Sequence, residues 1–443
     1  MLDREAAIAW YRRNRERTRM LFDLVAEDTY YQRPIALRHP IVFYEGHLPA
    51  FSFNTLVKKG LGGPSIDPRL EAIFARGIDP HESTAASADR AAWPTRDEVL
   101  AFADEADRRV LDALCRADLE RPGHPLLDRA EAVFTILEHE AMHHETLLYM
   151  WHRLPLEEKR PPDGYAAPLL TTSAPRQEWI EIPAGCATLG VDRHDVVFAW
   201  DNELPRHAAE VDTFSIERFN VTNAQYLAFV EAGGYTDAQW WRPDDWNWIQ
   251  SERISHPLFW EGGTGGKDWH WRGMFERLPL PLAGPVYVSH AEAAAYVRWR
   301  GARLPTEAEY QRAAFGSADG DRQYPWGSAS PSIEHGVFDF SSWDPEPVGS
   351  HPAGQSAWGV DDLVGNGWEW TGTTFAPFPG FRAMASYPEY SADFFDGDHM
   401  VLKGASPVTA ADLLRPTFRN WFRPRYPYVY ATFRCVTERP GRR

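Results

Sequence analysis

Two histidines four residues apart, His139 and His143, are the residues of this chain best placed to do chemistry. They lie in Leu137-Glu138-His139-Glu140-Ala141-Met142-His143-His144-Glu145, inside a run with helical apolar spacing. On an α-helix such a pair shares one face, so two imidazoles can chelate one ion. His144 falls about 100° from His143 and is left out of the pair. His-Glu-x-x-His is also the zinc-metalloprotease pattern, in which Glu140 would be the general base. Against that reading, no third ligand of the usual form follows closely downstream. A solvated polar stripe, or core histidines satisfied by hydrogen bonds, is the plainer alternative. A third ligand has to come from elsewhere. Phe43-Tyr44-Glu45-Gly46-His47-Leu48-Pro49 holds a lone histidine among aromatic residues. Taken by itself, His47 reads as an ordinary core residue.

The elements that must position these residues are helical. Residues 3–26 place Ala7, Ile8, Trp10, Tyr11, Leu21, Phe22 and Leu24 at helical spacing. Residues 39–60 are a second helical stretch. Pro94 and Thr95 open a third, through Val99, Leu100, Phe102, Ala106, Val110 and Leu114. Residues 128–152 form the fourth, with Ala132, Ile136, Leu137, Met142, Leu147 and Leu148 on its apolar positions. Four long helices joined by loops predict a bundle. A composition shift follows: residues 157–175 are rich in proline with a threonine/serine cluster, a linker signature. Short β-like runs come next at 179–182, 187–189, 207–216 and 285–288, and one helix at 290–301 with Ser289 as its N-cap. The expected division is therefore 1–160 helical, 161–176 linker and 177–440 α+β with much loop.

The whole chain sets limits on function. Its 443 residues are 44% hydrophobic, enough for sizeable cores. Lysine and arginine total 46 against 63 acidic residues, a net −17. That excludes a broad basic surface for nucleic acid. Cys115, Cys186 and Cys435 are far apart and form no CxxC pair, so neither a disulfide framework nor a zinc ribbon is expected. The first 25 residues alternate charged and apolar types, unlike a signal peptide, and no run reaches the roughly 18 apolar residues of a membrane span. These features predict a cytoplasmic protein with no membrane partner. Nineteen tryptophans, most of them after residue 175, point to large aromatic anchors and to a cleft for a cationic or heteroaromatic ligand.

Two stretches resemble known modules. The first third is similar to the DinB-like four-helix domain. The remainder, from about Glu178, resembles the formylglycine-generating-enzyme/sulfatase-modifying-factor domain, a C-type-lectin-related α+β fold rich in loops. The resemblance is carried by Asp201-Asn202-Glu203 with His207, Val221-Thr222-Asn223-Ala224-Gln225-Tyr226, and Ala302-Arg303-Leu304-Pro305-Thr306-Glu307-Ala308-Glu309-Tyr310. Tyr324-Pro325-Trp326-Gly327 and Gly365-Asn366-Gly367-Trp368-Glu369-Trp370 complete it. In this order the two modules resemble the non-haem iron sulfoxide synthases of ergothioneine and ovothiol biosynthesis. These join a thiol to an imidazole carbon of a histidine derivative, using O2. The resemblance implies an Fe(II) site of three histidines, matched by His47, His139 and His143. It implies that Phe418-Arg419-Asn420-Trp421 contacts hercynine, N-trimethylated histidine. Asn420 suits the carboxylate and the Trp421 indole suits the quaternary ammonium. Met142 and Phe422 are taken as further substrate contacts. An active-site tyrosine that donates a proton is implied too, and Ser386-Tyr387-Pro388-Glu389-Tyr390 offers Tyr387 first and Tyr390 second.

The chain departs from parts of that pattern. Users of γ-glutamylcysteine carry an arginine pair beside a tyrosine pair after the first ligand helix. Here Ile73-Phe74-Ala75-Arg76-Gly77-Ile78-Asp79-Pro80 has one arginine and no tyrosine. Phe422 stands where those enzymes have aspartate. Cysteine, another thiol or a selenol is thus the open set of donors. Residues 37–47 look closer to the ovothiol branch, which acts on histidine, yet the chain shows no methyltransferase domain after residue 440; hercynine is the expected acceptor. Residues 402–419 contain no cysteine, so formylglycine generation is not expected. Carbon–selenium coupling on hercynine and ovothiol-type coupling to histidine are the alternatives within the family. A quaternary-ammonium binding module with a structural metal is the non-enzymatic one.

Overall fold

The computed structural model describes residues 2–75, 93–168, 175–262 and 268–438. It contains two compact units: Met1–Tyr165 with Met384–Pro388, and Ala166–Ala383 with Glu389–Arg443.

The first unit is a helical bundle. Helix α1 spans Arg4–Asp23, α2 Ile41–Ser52, α3 Pro68–Phe74, α4 Arg96–Arg116 and α5 Glu131–Trp151. The four long helices α1, α2, α4 and α5 pack pairwise around a core that includes Tyr11, Phe53, Leu56, Val110, Leu114, Val133, Ile136 and Leu137. Local chemistry sets where they begin. Asp3 accepts from the Ala6 N–H to cap α1, and Thr95 and Glu98 form a reciprocal capping box on α4. Helix α5 starts where Arg129 and Ala130 turn the chain at positive φ.

The expected helix at 39–60 is two structures in one. Helix α2 ends at Ser52, and Phe53–Gly60 continues as a π-helix. Pro49 inside α2 has no N–H to give the ladder, and the wider i→i+5 turn that follows is a local re-registering of the backbone. Helix α2 is buried on nearly every position, so its apolar signal has no period and does not announce this change.

The second unit begins with strands β1 (Trp179–Ile182), β2 (Gly185–Leu189), β3 (His207–Val211) and β4 (Phe214–Glu217). Then come α6 (Asn223–Glu231), α7 (Pro243–Ser251), β5 (Trp260–Glu261), β6 (His270–Arg272) and β7 (Arg277–Pro279). Helices α8 (His290–Trp299) and α9 (Glu307–Phe315) precede β8 (Gly367–Thr374) and β9 (Met400–Ala405). Three short strands close it: β10 (Asn420–Phe422), β11 (Ala431–Thr432) and β12 (Val436–Thr437). The strands form sheets in the orders β1-β4-β12, β10-β9-β8-β11, β2-β3 and β5-β6-β7. The fold class is thus a helical bundle followed by a loop-rich α+β domain.

Two expected strands differ. The run 207–216 is split into β3 and β4, which join different sheets. Residues 285–288 form no strand, because Val286 N–H donates to Val221 while Val288 N–H donates to Ala431. Ser289 does cap α8, through a capping box with Glu292. The core of this unit also holds the Arg434–Glu369 ion pair, at 2.6 Å and fully buried. No helix among the described residues is long and apolar enough to cross a membrane.

Candidate metal centre

The bundle brings His47 of α2 together with His139 and His143 of α5. Their ligand nitrogens all lie within 4.8 Å of one another, and all three side chains are buried. Ring centroids stand 5.2 Å apart for His47–His139 and His47–His143, and 4.5 Å for His139–His143. The trio is the one such cluster among the described residues.

Each ring is held from behind. The Nδ1–H of His47 donates to the Phe74 carbonyl at 2.6 Å, since a carbonyl can only accept. That fixes the tautomer and leaves the Nε2 lone pair toward the cluster. Gly46 makes this contact possible: a Cβ there would lie 2.3 Å from the Phe74 ring. Phe43 stacks on His47 at 4.8 Å, and Phe51 stacks on His139 at 3.5 Å. Tyr44 lies 5.9 Å from His143.

The electrostatics favour neutral rings. Burial lowers the His47 pKa to about 4, against the opposing Phe74 hydrogen bond. Burial, with the neighbouring histidines, drives His139 and His143 well below the usual histidine range. No proton competes for these nitrogens at neutral pH. Both ring nitrogens of His139 and Nδ1 of His143 are buried without a hydrogen-bond partner. Orphaned buried imidazole nitrogens are costly in a dry interior, and a cation removes that cost. The donor set therefore fits one ion. Three neutral nitrogens and no carboxylate suit a transition metal.

Glu140 is not available to such a site. It accepts from Arg15 at 2.7 Å and Thr18 at 2.6 Å, fully buried. Arg15 also binds Asp107, which accepts from Tyr11. His144 hydrogen-bonds Thr18 at 2.9 Å. The metalloprotease pattern is thus split between two faces of α5: the histidines on one, the glutamate inside an ion-pair network on another.

Tyr387 belongs to the helical unit. Its half-buried ring lies 6.0 Å from His139 and 5.1 Å from Phe51. Phe51 and this tyrosine environment have no signal in local sequence. Met142 is half-buried on α5, beside the histidine face. Tyr390 lies in the second unit, buried, stacked on Trp200 at 3.9 Å. Trp421 is also there, half-buried, with one face on Phe375 at 4.3 Å and with the Tyr390 and Phe394 rings 5.2 and 5.7 Å away. On β10 side chains alternate, so Asn420 and Phe422 share one face of the strand and Trp421 points to the other. The Asn420 side-chain oxygen Oδ1 accepts from the Trp421 backbone N–H at 2.9 Å. Phe422 stacks on Tyr426. Of the stretch 73–80, which departs from the pattern of γ-glutamylcysteine users, residues 76–80 lie outside the described residues, as do residues 169–174 of the linker.

Residues 11–147 match the DinB superfamily and 167–439 the sulfatase-modifying factor enzyme 1-like domain. A protein named hercynine oxygenase from Mycolicibacterium smegmatis is 32% identical over 91% of this chain and 92% of its own length. This chain belongs to the sulfoxide synthase family of ergothioneine-type biosynthesis. A hercynine oxygenase from Mycolicibacterium thermoresistibile is 41% identical over 57% of the chain and 58% of its own. The ergothioneine biosynthesis protein 1 of Neurospora crassa is 26% identical over 94% of the chain. These last two alignments span 58% and 56% of the relatives' own lengths. In this chain the DinB match precedes the sulfatase-modifying-factor match.

Proposed function

We propose that the protein is an oxidoreductase that couples a thiol to the imidazole carbon of hercynine at an Fe(II) centre held by His47, His139 and His143. The overall reaction balances as R–SH plus imidazole C–H plus O2 giving R–S(=O)–C and water. One C–S bond forms, and the four electrons come from the S–H, the C–H and the sulfur lone pair. The observation that carries this reading is the buried, neutral histidine trio with a phenol beside it, in a chain 91% of which aligns with a hercynine oxygenase. When bound, Fe(II) supplies O2 activation at positions the three imidazoles leave open.

The chain's own residues do the rest. His47, held by Phe74, keeps its ring orientation and tautomer fixed. Phe51 covers one face of His139 and keeps water from it. The Tyr387 hydroxyl holds a proton next to the site and donates it during turnover. Tyr390 is the second choice for that proton; its stacking on Trp200 gives it a packing role as well. For the acceptor, the Asn420 NH2 remains the donor side of its amide and binds the carboxylate. The Trp421 indole offers a face to the trimethylammonium group; since it leaves β10 opposite Asn420, the acceptor has to reach around the strand to meet both. Met142 and Phe422 supply apolar contact.

The test is direct. Protein loaded with Fe(II) is given hercynine and, in separate reactions, cysteine, γ-glutamylcysteine or a selenol sugar. We expect no product without O2 and a sulfoxide adduct by mass spectrometry once O2 is admitted. A selenium adduct alone, or the same product with histidine alone, moves the reading to the corresponding branch of the family. No adduct with any donor overturns it. Replacing His143 with Ala is expected to abolish bound iron while the far-ultraviolet circular dichroism stays unchanged.

A further inference from the structure

Residues 384–388 pack with the helical unit although the chain on both sides belongs to the other unit. Ser386, which is buried, makes polar contacts there. Its Oγ–H donates to Glu131 Oε1 at 2.9 Å, and its backbone N–H reaches the same oxygen at 3.3 Å. Thr135 Oγ1 lies 2.9 Å from Ser386 Oγ. The proton count sets the direction. An ionised carboxylate only accepts, so the Ser386 proton goes to Glu131. The Thr135 Oγ–H donates to the Glu131 backbone carbonyl at 2.8 Å, so Thr135 Oγ1 meets Ser386 Oγ as a close polar contact with no proton of its own. The result is a Ser386 hydroxyl and backbone N–H held on one carboxylate oxygen, the stronger kind of hydrogen bond, with Thr135 packed against the same hydroxyl.

Glu131 and Thr135 sit on α5, the helix that carries His139 and His143. Thr135 is four residues before His139, hence on the same face one turn away. Tyr387 follows Ser386 directly, so the clamp ties the tyrosine backbone to the helix that presents the histidines. We infer that Glu131, Thr135 and Ser386 are positioning residues that hold Tyr387 at its place beside His139. The inference rests on the proton-donor role proposed for Tyr387. It adds that this role depends on a side-chain latch at the first turn of α5, outside the histidine trio.

The experiment uses the full chain. Hydrogen exchange of the peptide covering 384–388 is measured in metal-free protein for Glu131→Ala, Ser386→Ala and Glu131→Gln. Steady-state kinetics and bound iron are measured in parallel. In the two Ala variants we expect faster exchange confined to that peptide and unchanged iron stoichiometry. We expect kcat to fall about 10²-fold with little change in KM, the size of loss a misplaced group by about 1 Å gives. Gln keeps an acceptor oxygen and is expected to restore most of both. Unchanged exchange in the Ala variants overturns the latch. Faster exchange with wild-type kcat overturns its role in turnover. Tyr387→Phe is the control: wild-type turnover there removes the proton-donor reading itself, while the exchange measurement still decides the latch.

Discussion

His47 owes its place to a glycine. Helix α2 would gain from alanine at position 46, but the Phe74 ring occupies the space a Cβ needs, 2.3 Å away. Gly46→Ala is therefore expected to lower stability by about 1–3 kcal/mol through overpacking. It should also weaken metal binding, because Phe74 moves with the carbonyl that orients His47. Isothermal titration with a divalent transition metal, next to chemical denaturation, separates the two effects. Asp362 gives a second test at this scale. Burial raises its carboxyl pKa from 3.8 to about 6, against a hydrogen bond from Gly349. The unfolded carboxyl loses its proton near pH 4 and the folded one holds it to about 6. Stability thus falls as pH rises through that window. Two units correspond to about 3 kcal/mol at neutral pH, as an order of magnitude. Asp362→Asn keeps the acceptor and tolerates the positive φ. It should be more stable than the parent at pH 7, indistinguishable below pH 4, and flatter between, by urea melts at several pH values.

At the scale of elements, α5 works with two faces. One presents His139 and His143. Another sends Glu140 into Arg15 and Thr18 of α1, and Arg15 in turn binds Asp107 of α4. A protease base would tolerate removal structurally and lose only hydrolysis. A buried ion pair behaves otherwise: taking one partner leaves Arg15 uncompensated. Glu140→Ala is expected to destabilise the helical unit by about 3–5 kcal/mol. Retained stability in thermal melts would return the metalloprotease reading. This second face was not legible from the histidine spacing. A period of 3.6 residues says which side chains share a face, but it does not say which helix that face meets. The π-helix after α2 was equally hidden, because an all-round buried helix has no amphipathic signal to lose.

For the whole molecule, the histidine trio and Tyr387 lie in one unit and Asn420 and Trp421 in the other. Binding a metal stabilises whatever holds its ligands and nothing else directly. Addition of Fe(II) under anaerobic conditions should therefore slow hydrogen exchange in α2 and α5 far more than in β8 and β9. Equal slowing in both units would place the ligands elsewhere. The sequence by itself determined much of this protein. Helical spacing put His139 and His143 on one face, the apolar periods and proline-rich break predicted a bundle followed by an α+β domain, and ordered motifs carried the family resemblance. These are local signals, and short-range periodicity and turn chemistry are written residue by residue. The family resemblance already matched His47 to the pair; only the tertiary structure put Phe74 behind it, spent Glu140 on Arg15, and packed Ser386 against α5. Those contacts join residues far apart in the chain. They follow from which helix faces pack together and which buried polar atoms must find partners, and no local pattern encodes either.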